Sequence, residues 1–177
     1  MDLLKEYRDK GKYIWLELGV QSIYNETLKR INRGHTFEDF LKAFDLLKKE
    51  GFPVVVHIIF GLPGETREMM LNTVKTLGKL GIDGIKFHAL YIVKNTKMAE
   101  LFEQGKYQPL TLEEYVDLVV LGIAYLPPKV VIHRVCSEAR KEDILCPEWV
   151  AQKMKVVELI RKKFLEKQLY QGAFLKE

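Results

Sequence analysis

An α/β fold built on a parallel sheet is predicted by three observations. Short apolar runs rich in β-branched residues alternate with amphipathic helical stretches, in the order strand, helix, strand, helix, strand. The segments between the strands are too long for hairpins, so successive strands run parallel through right-handed crossovers. The chain has 177 residues, 47% of them hydrophobic and 29% charged, which suits a folded soluble domain and excludes a disordered tail.

The elements follow in order. Residues 13–20 are apolar except for Glu17 and close on Gln21-Ser22, which reads as the first strand. Thr36, with Asp39 three residues on, caps a helix in which Phe37, Phe40, Leu41, Phe44 and Leu47 recur at helical spacing. Gly51 and Pro53 stop that helix. The run VVVHIIF from Val54 to Phe60 reads as a strand buried on both faces. Gly61-Leu62-Pro63-Gly64 makes a tight turn, and Thr66 opens a helix carrying Met70, Val74 and Leu77 before Gly81. Residues 82–91 form the third strand. Beyond Val93 the pattern turns helical, with a short helix over 96–104 and a capping box, Thr111 with Glu114, opening another. Pro127-Pro128 ends that helix, residues 130–135 offer a further strand, and Pro147 starts a basic terminal helix reaching to about Gly172. The chain thus divides into a sheet-bearing unit, 1–93, and a mainly helical extension, 94–177. Tyr13, Trp15 and Phe87 read as core aromatics.

The longest nearly unbroken apolar run, 118–126, is 9 residues and too short to span a bilayer. No charged-then-apolar leader opens the chain, so a cytoplasmic location and no membrane are expected. Cys136 and Cys146 are too few for a disulfide framework or a four-cysteine metal site, and His133-x-x-Cys136 with Cys146 fits no common zinc spacing. The net charge of +4 sits on the last segment: residues 1–150 hold 21 basic and 21 acidic side chains, residues 151–177 hold 7 and 3. A basic helix reads first as a solvated face and second as a surface for nucleic acid or an acidic partner.

Strand side chains alternate between faces. Placing the apolar sets under the helices gathers Glu17, Gln21, His57, Lys86 and His88 on the opposite face, towards the C-terminal strand ends, where parallel α/β folds bind ligands. One polar residue on a sheet face is ordinarily paired internally, with Glu17 and Lys86 the natural pair. Five together point to a site. The Gly61–Thr66 turn lacks the spacing and lysine of a P-loop and reads as a strand-to-helix connection.

Trp15-Leu16-Glu17-Leu18-Gly19-Val20-Gln21-Ser22, then Leu28 to His35 (LKRINRGH), then Val56 to Thr66 (VHIIFGLPGET), resembles radical SAM enzymes of the MiaB, NifB and Elongator type. A strand like that from His88 to Ile92 occurs in an uncharacterised bacterial branch of this group. The resemblance implies that residues 1–93 are the C-terminal half of a partial (βα)6 TIM-like barrel, followed by the helical extension. It implies S-adenosylmethionine and a [4Fe-4S] cluster as cofactors of the full-length protein. Gln21 and Arg33 match the family positions that help hold S-adenosylmethionine. His57 matches a polar position on the next strand, Glu17 shares the inward face, and Leu90 and Tyr91 would lie near the adenine; Lys86 and His88 would face the substrate. The CxxxCxxC loop and the Gly-Gly-Glu motif are absent from the sequence, so neither cofactor is expected bound to this chain. The expected partners are a missing N-terminal half-barrel or a second copy meeting the exposed first strand. The competing reading is a non-catalytic α/β module contacting RNA or protein through the basic helix.

Overall fold

The computed structural model describes residues 1–137 and 140–175. Helix α1 (Asp2–Asp9) leads into strand β1 (Leu16–Gln21), followed by a short helix α2 (Asn25–Arg30) and the longer α3 (Phe37–Lys49). Strand β2 (Val54–Phe60), helix α4 (Arg67–Leu80) and strand β3 (Gly84–Ala89) complete the alternating part. A two-residue strand β4 (Ile92–Val93), helix α5 (Lys97–Glu103), helix α6 (Leu112–Ala124), strand β5 (Val131–Arg134), strand β6 (Ile144–Cys146) and helix α7 (Lys153–Glu166) follow.

Local chemistry sets the helix starts. Thr36 accepts from the Asp39 amide while the Asp39 carboxylate accepts from the Thr36 amide, and Thr111 and Glu114 repeat the arrangement. Thr66 accepts from the Met69 amide at the start of α4. Strands β1, β2, β3 and β5 form one parallel sheet in that order. The fourth strand comes from beyond residue 93, so the sheet draws on both segments of the chain. β4 and β6 pair antiparallel in a small second sheet that periodicity does not reveal, because two or three residues carry no period.

The helices cover one face of the main sheet only. Val20, Val56, Ile58, Phe60, Ile85, Phe87 and Ala89 pack there against Phe40 and Phe44 of α3, Met70, Val74 and Leu77 of α4, and Tyr115 and Val119 of α6. The β2 run is therefore not buried on both faces along its length: Val54, Val55 and Val56 are buried, but His57 and Ile59 on the second face stay partly open. Tyr13 is not a core residue either. It precedes β1 and is 77% exposed, whereas Phe87 is fully buried.

The terminal helix also departs from expectation. Glu148–Ala151 form a 3-10 turn, Gln152 breaks the path, and α7 ends at Glu166 rather than near Gly172. The residues beyond it serve as hydrogen-bond donors instead. The Phe174 amide donates to the Ala124 carbonyl at 3.0 Å, and Gln171 Nε2 donates to the Pro127 and Val130 carbonyls at 2.8 and 2.7 Å. Carbonyls at the end of a helix lack partners within it, and this segment supplies them to α6.

Candidate functional site

The open face of the sheet carries a connected polar network. Glu17 on β1 takes Lys86 Nζ at 2.5 Å on one carboxylate oxygen and His57 Nε2 at 2.7 Å on the other. The Lys86 ammonium, joined by His57 and opposed by partial burial, holds the Glu17 carboxyl below the usual carboxylate range. The His57 ring stacks on His88, with centroids 5.4 Å apart and planes 14° off parallel. Below this layer Trp15 meets His133 edge to face at 4.8 Å. Gly84 leaves room for that ring, since a Cβ there would sit 2.7 Å from it. Burial, then the nearby Lys86, pushes the His133 imidazole below its ordinary value.

Above the network lies a cleft of about 480 Å³, lined by Gln21, His57, Ile59, His88, Leu90, Tyr91, Arg134 and other residues. Gln21 reaches it through an irregularity in β1. The pairing register shifts between Gly19 and Gln21, and Gln21 adopts φ 57°. Its amide folds over Gly19, where a Cβ would lie 2.5 Å from the Gln21 nitrogen. Arg33 Nε donates to Gln21 Oε1 at 2.5 Å, and its Nη2 to the Gly19 carbonyl at 3.4 Å. His35 Nε2 lies 3.2 Å from the same carbonyl.

Glu17, Gln21, His57, Lys86 and His88 thus share one face, and Leu90 and Tyr91 border it. Arg33 does not line the cleft but holds Gln21 from outside it. The Leu90 amide is occupied, donating to the Phe60 carbonyl at 2.9 Å. Arg134 and Ser137 were not singled out by sequence, yet both line the cleft. Ser137 accepts from the Ala89 amide and donates to the Ala89 carbonyl, both at 2.8 Å, which ties the segment after β5 to the end of β3. A four-residue strand gives too little pattern to place such residues.

The motifs around the cleft brace one another. Ser22 donates to Glu65 of the Gly61–Thr66 turn. Arg30 donates to the Pro63 carbonyl at 2.8 Å. Gly64 is held at φ 82° against that guanidinium, which a Cβ would overlap at 1.5 Å. Burial raises the Glu65 carboxyl above its ordinary value, and the hydrogen bonds from Ser22 and Thr27 only partly oppose this. An acid raised in the fold destabilises it once ionised, so this penalty is absent below the ordinary carboxylate pKa and complete above the raised one. Glu65→Gln is therefore expected to raise Tm at neutral pH, with the gain vanishing as pH falls below about 4. An equal gain or loss at both ends of a Tm-against-pH series would refute it.

Cys136 is buried and Cys146 partly so, and they are not disulfide-bonded. Among the described residues no three His, Cys, Asp or Glu side chains gather as a metal site. These residues do not fit a [4Fe-4S] cluster, which needs clustered thiolates. The α7 cations are partly compensated: Lys163 and Lys167 reach Asp117 at 3.3 and 3.7 Å, and Lys162 reaches Glu166 at 3.7 Å. No helix among the described residues is long and apolar enough to cross a membrane.

Residues 1–77 match the family model of the radical SAM superfamily, and residues 82–166 match that of the Radical_SAM C-terminal domain. The chain belongs to the radical SAM superfamily. It is 40% identical over 176 residues to Protein YhcC of Escherichia coli (strain K12), covering 99% of this chain and 56% of that one. It is 36% identical over 174 residues to the uncharacterized protein YtqA of Bacillus subtilis (strain 168), covering 98% and 54%. Over 123 residues it is 35% identical to a tRNA uridine(34) acetyltransferase of Methanocaldococcus infernus, covering 68% and 23%. The solved structure of the Methanocaldococcus infernus Elp3 with an N-terminal deletion superposes with a TM-score of 0.77 at 30% identity, over 88% of this chain and 36% of that one. The chain spans a little over half the length of the first two relatives.

Proposed function

We propose that this chain is the C-terminal part of the catalytic barrel of a radical SAM enzyme, and that its cleft forms one wall of the S-adenosylmethionine pocket. The observation that carries this reading is the Gln21–Arg33 pair closed over Gly19. Two residues twelve apart are locked together at the rim of the cleft, on the motif the family resemblance assigns to that cofactor. In the complete protein the cofactor pair would supply reductive cleavage of S-adenosylmethionine. Gln21 would bind and orient the cofactor, Arg33 fixes Gln21, and Leu90 and Tyr91 would lie on the adenine side. Lys86 and His88 face the substrate. The cluster is held by residues outside this chain.

The test is calorimetric titration of S-adenosylmethionine into the full-length, cluster-loaded protein. Gln21→Ala and Arg33→Ala are each expected to weaken binding by about 1–3 kcal/mol, the first because it leaves polar groups of the ligand unpaired, the second because it frees the Gln21 amide that Arg33 holds in place. Unchanged affinity in both variants overturns the assignment.

A further inference from the structure

The network on the open sheet face contains a residue whose geometry exceeds a simple ion pair. Glu17 is 45% exposed, Lys86 only 15% and His57 25%, so the carboxylate bridges two more deeply set partners. Its two oxygens are divided between them: Oε1 to Lys86 at 2.5 Å and Oε2 to His57 at 2.7 Å. An ionised carboxylate can only accept, so the nitrogen facing it must carry a proton. The same division is how carboxylates orient imidazoles at metal and catalytic sites, where the nitrogen engaged by the carboxylate decides the role of the other.

We propose that Glu17 is a positioning residue of the cleft: bridged to Lys86, it commits His57 Nε2 to donation and so makes Nδ1 the nitrogen available to a ligand. When the ring is neutral, Nδ1 is an acceptor, and the cleft then selects a group that donates a hydrogen bond, such as a hydroxyl. Lys86 holds the second oxygen of Glu17 in place. His88 stacks on the ring, and His133 on β5 completes the titratable surroundings, with Arg134 on the cleft wall. This proposal rests on the cleft being a ligand site, but its first test does not depend on which ligand enters.

The first test is nitrogen-15 spectroscopy of the His57 ring in this chain, carried to a pH at which its two nitrogen shifts no longer change. Wild type and Lys86→Met, which both retain Glu17, are expected to show the Nε2–H form alone. The double variant Glu17→Met, Lys86→Met removes the acceptor without leaving a lysine unpaired, and is expected to lose that preference. A double variant that keeps the Nε2–H form, or a wild type carrying the proton on Nδ1, overturns the proposal. The second test is the Kd for S-adenosylmethionine in the full-length protein, expected to be about tenfold weaker in the double variant than in Lys86→Met. A double variant binding as tightly as Lys86→Met overturns the ligand-facing role of His57. If wild type itself binds no S-adenosylmethionine, the cofactor reading fails, while the spectra still decide the role of Glu17.

Discussion

Phe87→Ala is expected to remove about 3–5 kcal/mol of stability, a large part of what a domain of this size possesses. Phe87 is fully buried on the helix-covered face of β3, with its ring centroid 5.6 Å from that of Phe60. Gly122 of α6 faces it so closely that a Cβ there would lie 3.3 Å from the ring, with Val74 of α4 beside it. Backbone approaches the ring from one side and a β-branched side chain from another, so the walls have little freedom to close on the cavity. The adjacent residues Lys86 and His88 point to the opposite face, and losing the packing under β3 loosens the strand that presents both. Urea denaturation with an unchanged m-value is the measurement. Leu165→Ala, at a site 79% exposed on α7, is the control and should change stability by less than about 0.5 kcal/mol. A loss below about 1 kcal/mol for Phe87→Ala would show that α4 and α6 can collapse onto the gap.

Alternation and capping were legible because each rests on a local rule. Thr36 with Asp39 and Thr111 with Glu114 form reciprocal caps, and the three β-rich runs became three neighbouring parallel strands. Period two placed Glu17, His57, Lys86 and His88 on one face. It placed Gln21 there as well, for an incomplete reason. The ladder is irregular at Gly19–Gln21, and the left-handed backbone of Gln21, with Gly19 making space, brings the amide over the cleft. Nothing in the hydropathy of LGVQS shows that. The burial of VVVHIIF was overestimated because an apolar run does not show whether a second layer covers its strand. Among the described residues the helices α3, α4 and α6 lie on one side, and on the other Val55 is buried while His57 and Ile59 remain partly open. Arg134, Ser137 and the path after Glu166 escaped because their positions depend on contacts far along the chain: Ser137 with Ala89, Gln171 with Pro127.

A solution of this chain alone is expected to contain no monomer at micromolar concentration and to form no 5′-deoxyadenosine. Among the described residues β1 is paired only on its β2 side, so its other edge has no strand beside it, and there only the Gly19 carbonyl is met by side chains, those of Arg33 and His35. Leu3 and Tyr7 of α1 and Tyr13 before β1 are 65%, 49% and 77% exposed, which places apolar surface next to that edge. Pairing two β1 edges about a twofold axis buries both features in one closed contact. The expected inactivity has a separate origin, because Cys136 lies past the end of β5, Cys146 closes β6, and two thiols so placed cannot supply the clustered thiolates of an iron–sulfur centre. The two expectations are therefore measured apart. Light scattering should give at least twice the monomer mass, and a clean monomer would remove the edge-pairing argument while leaving the cofactor reading intact. Anaerobic reconstitution with iron, sulfide and reductant should give no cluster absorbance and no cleavage of S-adenosylmethionine. Mixing with a polypeptide corresponding to the part of the relatives that this chain does not match should dissociate the self-paired species, because both compete for the same edge. A cluster that assembles on this chain by itself would overturn the assignment of the thiolates to residues outside it.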